Sequence, residues 1–353
     1  MGMNEERTTS RRRFLGTAAG ATGVALAAAA WKPTQAAAAV ADTGQGTQSP
    51  TAVERRFRPG VFALTLSGAG AGFLKAIDGG DAHGEVITIP SGSGGFPNKT
   101  ISNLRYDDFA LQLGFGMTKA VYDWIAASWK MNYIRKQGSI TTADFNYQAK
   151  SERQFRDALI TEVGFPALDA SSKDPGYLTL QFAPEETIDL PASGALSAPV
   201  SKQKLWLTSN FKLQIDGIDA TKVSKIEAFS VKQQFVESEV GPGRIGGKEP
   251  GKLEFPDLKI TLAQSSIATW AAWFDDFVIK GNNGADKEKS GRIVFLSPDL
   301  QTELGEIKLI NVGIFRLDPD ADDPSSADKI ARFTAEIYVE QMQLNVPPAP
   351  VIT

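Results

Sequence analysis

A mainly β fold is predicted by three features of this chain. Short runs alternate apolar with polar residues, only two segments have a helical period, and a repeat carries both patterns twice. The expected architecture is a β-barrel or sandwich with one flanking helix per domain, in two tandem homologous domains. Four blocks in one register define the repeat. Phe62-Ala-Leu-Thr-Leu-Ser-Gly68 returns as Phe211-Lys-Leu-Gln-Ile-Asp-Gly217, a shift of 149 residues (211 − 62 = 149). By the same shift Tyr106–Leu113 returns at Phe255–Leu262, Trp124 at Trp273, and Val163–Asp169 at Val312–Asp318.

Residues 1–39 read as a twin-arginine signal peptide. Ser10-Arg-Arg-Arg-Phe-Leu-Gly16 precedes a mild apolar run, Thr17–Ala30, and Ala36–Ala39 supplies cleavage options. The run is too short and too rich in Ala and Gly for a span of about 20 strongly apolar residues. The mature protein is therefore expected to be exported by the twin-arginine route, periplasmic or extracellular, with no membrane span. Residues 40–58 form a flexible lead-in rich in Ala, Thr, Gln, Gly and Ser.

The first domain, 59–190, opens with Phe62, Leu64 and Leu66 alternating on a strand. Gly68–Gly72 is expected to loop, Phe73–Ile77 to pair back, and Val86–Ile89 to be a β-branched strand before the Ser91–Gly95 loop. Phe109, Leu111 and Leu113 alternate again. The period then changes: Val121, Trp124, Ile125 and Trp129 predict an amphipathic helix over Thr118–Met131, with Thr118 as N-cap. Phe155–Phe165 and Tyr177–Phe182 complete the strands. After a linker at 191–204, the second domain, 205–345, repeats the order. Its strands are expected at Phe211–Ile215, Val223–Phe235, Leu258–Leu262, Arg292–Leu296, Glu306–Phe315 and Phe333–Met342. A Gly-rich loop falls at Gly241–Gly251 and a helix at Ser265–Phe277. Each copy is long enough to bury its own core. Phe62 with Phe211, Phe109 with Leu258, and Trp124 with Trp273 are the expected matched core pairs.

Composition narrows the function. Removal of residues 1–38 takes away five basic and two acidic residues, moving the formal net charge from −4 to −7 (−4 − 5 + 2). Nucleic acid is not an expected partner, since phosphate binding requires a concentrated basic face. Cysteine is absent, which excludes disulfides and thiolate metal sites. No nucleophile elbow, P-loop or zinc-protease motif occurs, and Gly68-Ala-Gly-Ala-Gly72 lacks the spacing of a dinucleotide loop. The single histidine, His83, reads as a surface or structural residue. Asp318-Pro-Asp-Ala-Asp-Asp323 offers hard oxygen ligands. Asp323 and Lys329, however, stand where a calcium loop needs its turn glycine and its bidentate glutamate, so the segment reads as a solvated acidic loop. No catalytic, cofactor-binding or metal residue is assigned, no cofactor is expected, and the chain is not expected to be an enzyme.

Phe-x-Leu-x-Ile-Asp-Gly at Phe211–Gly217, the strand Pro256-Asp-Leu-Lys-Ile-Thr-Leu262 and the Trp-bearing helix directly after it resemble the tail tube proteins of contractile phages and their injection-machine relatives. Through the repeat, the resemblance covers most of 59–344. It implies small β-barrels flanked by a helix that join sheets edge to edge into six-domain rings and stack as a tube. The usual member has one such domain and no export signal. Two domains per chain give six from three chains. The expected function is thus an exported structural protein that self-associates into trimeric, pseudo-hexameric rings, with other tube or baseplate-like proteins as partners. The alternative is a monomeric periplasmic β-barrel that binds a small apolar ligand.

Overall fold

Strands form where apolar and polar residues alternate, because a strand turns successive side chains to opposite faces. The computed structural model describes residues 60–90, 95–196, 206–238, 247–320 and 331–347, the side chains of 237 and 238 excepted. The signal peptide, the lead-in, most of the Ser91–Gly95 loop, the linker from 197, Gly241–Gly246 and residues 321–323 of the acidic loop lie outside the described residues.

The first half contains β1 (Val61–Leu66), β2 (Ala69–Leu74), β3 (Ala76–Asp78), β4 (Ala82–Ile89), β5 (Asn98–Tyr106) and β6 (Phe109–Leu113). Helix α1 (Lys119–Trp129) follows, then β7 (Lys136–Ala143), β8 (Ala149–Phe165), β9 (Leu168–Asp169), β10 (Leu178–Ala183) and β11 (Glu186–Pro191). The second half contains β12 (Phe211–Ile215), β13 (Val223–Ile226), β14 (Phe229–Ser238), β15 (Gly247–Glu254) and β16 (Leu258–Ala263). Helix α2 (Ile267–Phe274) continues as a π-turn to Ile279, before β17 (Lys289–Leu296), β18 (Glu303–Pro319) and β19 (Arg332–Asn345). The chain is mainly β, as its patterning predicts.

In the first half β1, β7, β8, β10 and β6 lie side by side, with β2 beyond β1 and β3 beyond β6. β2 and β3 are pieces of one run broken at Lys75, whose N–H still donates to Gln112 O at 2.8 Å. The two ends of the sheet are therefore continuous, and it closes as a small barrel. The second half arranges β12, β17, β18, β19, β16 and β13 in the counterpart order. Here, among the described residues, β12 has β17 as its only strand partner, so this sheet stays open at that edge.

Register adds a correction. Phe109 faces Phe182, which faces Ile160; Leu258 faces Ile337, which faces Ile314. Phe109 and Leu258 are 149 residues apart (258 − 109), but Ile160 and Ile314 are 154 apart (314 − 160). The segment after each helix differs in length, so Val163 corresponds in the sheet to Leu317 and not to Val312.

The core is one continuous cluster, not one per half, and the described residues form a single compact unit. Phe165 of β8 stacks on Phe229 of β14 at 5.0 Å and on Phe295 of β17 at 5.7 Å between ring centroids. Phe109, Leu258, Trp124 and Trp273 are buried as expected, whereas Phe62 and Phe211 are half-buried at their strand starts. Gly68–Gly72 does not loop out. Only Ser67–Gly68 turn, and the strand resumes at Ala69 because Gly72, at φ +131°, passes so close to Met117 that a Cβ would stand 2.9 Å from its sulfur. Thr118 occupies the N-cap position of α1 but makes no side-chain cap bond. The expected run Val223–Phe235 breaks between β13 and β14, and Gly247–Gly251 belongs to strand β15.

Candidate assembly surface

A strand edge presents unpaired N–H and C=O groups, so the sheet edges are this molecule's candidate contact surfaces. Three edges matter. β8, β18 and the β4–β5 hairpin meet different fates.

At β8 the edge is filled from within the chain. The β14–β15 hairpin of the second half pairs antiparallel with it: Phe229 faces Phe165, Ser230 faces Gly164, Val231 faces Val163 and Lys232 faces Glu162. A sheet of the first half is thereby extended by a hairpin of the second. The seat is apolar at one end, where Phe165, Phe229 and Trp129 meet, and Trp129 also packs edge-on against Phe255 at 6.2 Å. It is ionic at the other. Arg135 pairs with Glu185 and donates to the backbone O of Lys248, and Glu185 accepts the Lys248 N–H at 3.1 Å. The Lys248 side chain is 9% exposed, with Asp108 at 3.8 Å. Burial pushes the Lys248 ammonium below its usual range against the attraction of Asp108 and Glu185. Burial likewise raises the Asp108 carboxyl, against the pull of Lys248 and a 3.2 Å hydrogen bond from Thr161. An ion pair held this way fixes how the hairpin sits more than it stabilises the chain.

The equivalent hairpin of the first half, β4–β5, forms a separate two-stranded sheet. Its fit to β14–β15 is close. Gly84 faces Leu104 and Gln233 faces Leu253, each residue 149 after its counterpart (233 − 84; 253 − 104), and the ladder shifts at the next step in both. All of β4 is exposed, including Val86 (60%), Ile87 (41%) and Ile89 (50%), and Ile101 of β5 is 59% exposed. His83 lies at its root, exposed, with Nδ1 3.3 Å from Asp107, so it takes the surface role its sequence context predicts.

β18 is the counterpart of β8. Its pairing with β17 ends at Val312, so from Gly313 to Pro319 only β19 flanks it among the described residues. Beside that edge stand Phe315 (40% exposed) and, at the end of the α2 turn, Val278 (37%) and Ile279 (68%).

An open groove of about 910 Å³ lies along β12, lined by Phe211–Thr221, Ser290–Arg292 and Lys308–Ile310. The interior of the closed barrel, by contrast, is filled by Leu64, Leu66, Leu111, Phe155 and Phe182, all buried. Among the described residues no three His, Asp or Glu side chains gather as metal ligands. Asp318 pairs with Arg316, and Asp320 accepts a 2.6 Å hydrogen bond from Thr334. No helix among the described residues is long and apolar enough to cross a membrane. The sequence reading missed strands β5, β7, β9, β11 and β15, and with β5 and β15 the two hairpins. Thr-Ile-Ser-Asn-Leu104 carries a β-branched alternation that could have shown β5.

No family model and no curated protein matches the chain. Among solved structures it is similar to a chain of an extracellular contractile injection system, the PVC sheath-tube complex in its extended state. That likeness has 18% identity and a TM-score of 0.35, and covers 42% of this chain and 100% of that one. It is similar to the anti-feeding prophage cap, a tube-terminating cap, at 14% identity and a TM-score of 0.32, over 44% of this chain and 96% of that one. It is also similar to Hcp1 from Flavobacterium johnsoniae, at 14% identity and a TM-score of 0.24, over 39% of this chain and 95% of the other.

Proposed function

We propose that this chain is an exported structural protein whose two tail-tube-like halves arose by duplication and make up one third of a ring. Three chains close a pseudo-hexameric ring, and rings stack into a tube whose faces meet other tube or baseplate-like proteins. The observation that carries this reading is the β14–β8 joint. One half extends the sheet of the other by edge pairing, so a single chain is already an arc of two units. A head-to-tail contact of that kind repeats from unit to unit and makes a ring where its rotation closes. The shared strand order of the two halves supports it, because like units can meet in like ways. Export rests on Ser10–Gly16.

Light scattering and negative-stain microscopy of the mature protein test the assembly. Three chain masses and rings with six lobes are expected; one chain mass across a wide concentration range overturns the ring. For export, Arg11→Lys with Arg12→Lys should leave folded precursor in the cytoplasm, because the transport machinery reads that pair. Unchanged export would remove the address.

A further inference from the structure

The chain contains one complete joint and the two unmatched parts of a second. We infer that the β4–β5 hairpin of one copy docks on the β18 edge, Gly313–Pro319, of a second copy, with Val86 and Ile101 over the Gly313–Ile314 end of that edge. This deepens the ring reading and rests on it, since it assigns the contact between chains.

The internal joint supplies the template. The hairpins correspond at a shift of 149 and the strands β8 and β18 at 154, as their registers give. Carried over, Val231 facing Val163 becomes Ala82 facing Leu317, and Lys232 facing Glu162 becomes His83 facing Arg316. Among the described residues, each part lacks what its counterpart has. β14–β15 is seated on β8, while β4–β5 pairs with no other strand; β8 is flanked on both sides near Val163, while β18 near Leu317 is flanked by β19 alone. The apolar surface is complementary in position as well. Phe235 and Pro250 of the seated hairpin line a small cavity with Trp124, Leu159 and Ile160. Their counterparts are Val86 and Ile101, which are 60% and 59% exposed. Exposed β-branched residues on a long hairpin are what soluble monomers avoid, and burial against a partner removes that liability. The same register sets Asp81 opposite Asp318. Each has an arginine of its own chain, Arg153 at 2.9 Å and Arg316. The joint runs from first half to second half, so, unless two copies exchange hairpins reciprocally, it continues from copy to copy and closes as a ring where the rotation allows.

The chain has no cysteine, so paired cysteines report the joint without background. Residues facing across antiparallel strands are within disulfide range. In the full chain, His83→Cys with Arg316→Cys should give covalent species of two and three chain masses on oxidation. Both sites are exposed, at 51% and 59%, so folding should be unaffected. Lys232→Cys with Glu162→Cys is the internal control and should close within one chain. If the control closes and the protein sediments as several chains but the His83/Arg316 pair yields only single chains, this joint is wrong and the ring reading stands. If the unmodified protein is a monomer, both fall. Val86→Asp with Ile101→Asp should abolish multi-chain species and leave a folded single chain whose thermal midpoint no longer depends on protein concentration; retained assembly would overturn the assignment.

Discussion

The two halves share a strand order and differ in how their edges are finished. In the first, Ala69-Gly-Ala-Gly-Phe-Leu74 runs beside β1 and closes the barrel. In the second, the corresponding stretch Ile218–Val223 turns away from β12. Asp219 accepts the N–H of Thr221 at 3.0 Å and its hydroxyl at 2.6 Å, an aspartate turn that competes with strand pairing. The loop is then tied to α2, since Trp270 Nε1 donates to Asp219 O at 2.9 Å and the Thr269 hydroxyl accepts the Asp219 N–H at 2.9 Å. Two small glycines permit a close-packed strand in one half, and two short polar side chains prevent it in the other. A few turn residues, not the apolar pattern, therefore decide which edges stay open. The hairpins teach the same lesson from outside: one is seated on its neighbour and one is not.

The strongest way to break this comparison is at the contact the halves share. Phe165→Ala removes a ring 3% exposed, packed on Phe229, Phe295 and Trp129, and should cost about 3–5 kcal/mol. Because the core is continuous, urea unfolding should show one transition for both wild type and variant, at lower denaturant in the variant. Two separated transitions would mean that the halves fold as independent domains.

Much of this organisation was legible in the sequence. The alternation at Phe109–Leu113 and Leu258–Leu262, and the tryptophans at helical spacing, place central strands and both helices because burial imposes their periods. What was not legible depends on partners far along the chain. β7, Lys136–Ala143, carries a weak alternation and becomes a strand because β1 and β8 flank it. Gly247–Gly251 reads as a loop by composition, yet it is held as a strand by β14, with Arg135 and Glu185 bonded to Lys248. The edge that accepts the hairpin could not be found from β8 alone, since Glu162–Phe165 looks like any strand end until Phe229–Lys232 is laid against it.

A smaller effect sharpens the comparison at the helix ends. Helix α1 finishes with Met131 in the left-handed region (φ 57°). Asn132 N–H donates to Ala127 O at 2.9 Å, and Met131 N–H to Ser128 O at 2.9 Å. The second half places glycine there instead, Gly281 at φ 71°. Methionine is strained in that conformation, and Met131 is 68% exposed, so little packing is lost with its side chain. Met131→Gly should stabilise by about 0.5–1 kcal/mol, the relief of strain exceeding glycine's extra freedom in the unfolded chain. Gly281→Ala should destabilise. A thermal midpoint that falls in Met131→Gly would show that its side chain, not its backbone, matters.

The last difference is read with pH. The β7–β8 turn and the β17–β18 turn are each organised by one aspartate. Asp144 accepts the N–H groups of Gln148 at 3.0 Å and Asn146 at 2.9 Å, with Lys150 at 3.3 Å. Asp299 accepts the Ser297 hydroxyl, the N–H groups of Thr302 at 3.0 Å and Gln301 at 2.9 Å, and the Thr302 hydroxyl at 3.1 Å. Hydrogen bonds to the charged form hold both carboxyls below the usual range, Gln148 contributing most at Asp144 and Ser297 most at Asp299. A carboxyl depressed in the folded state contributes stability that is present above its unfolded value, near pH 4, and is lost as pH falls through the folded value. Acidification below pH 4 should therefore loosen these turns. Asp299, with one more hydrogen-bond donor than Asp144, should protonate at the lower pH. Carboxyl carbon shifts followed by NMR would show this order, and Asp299→Asn should flatten the dependence of stability on pH in that window. Protonation of Asp299 before Asp144, or an unchanged slope in Asp299→Asn, would show that the second-half turn owes nothing to its carboxylate.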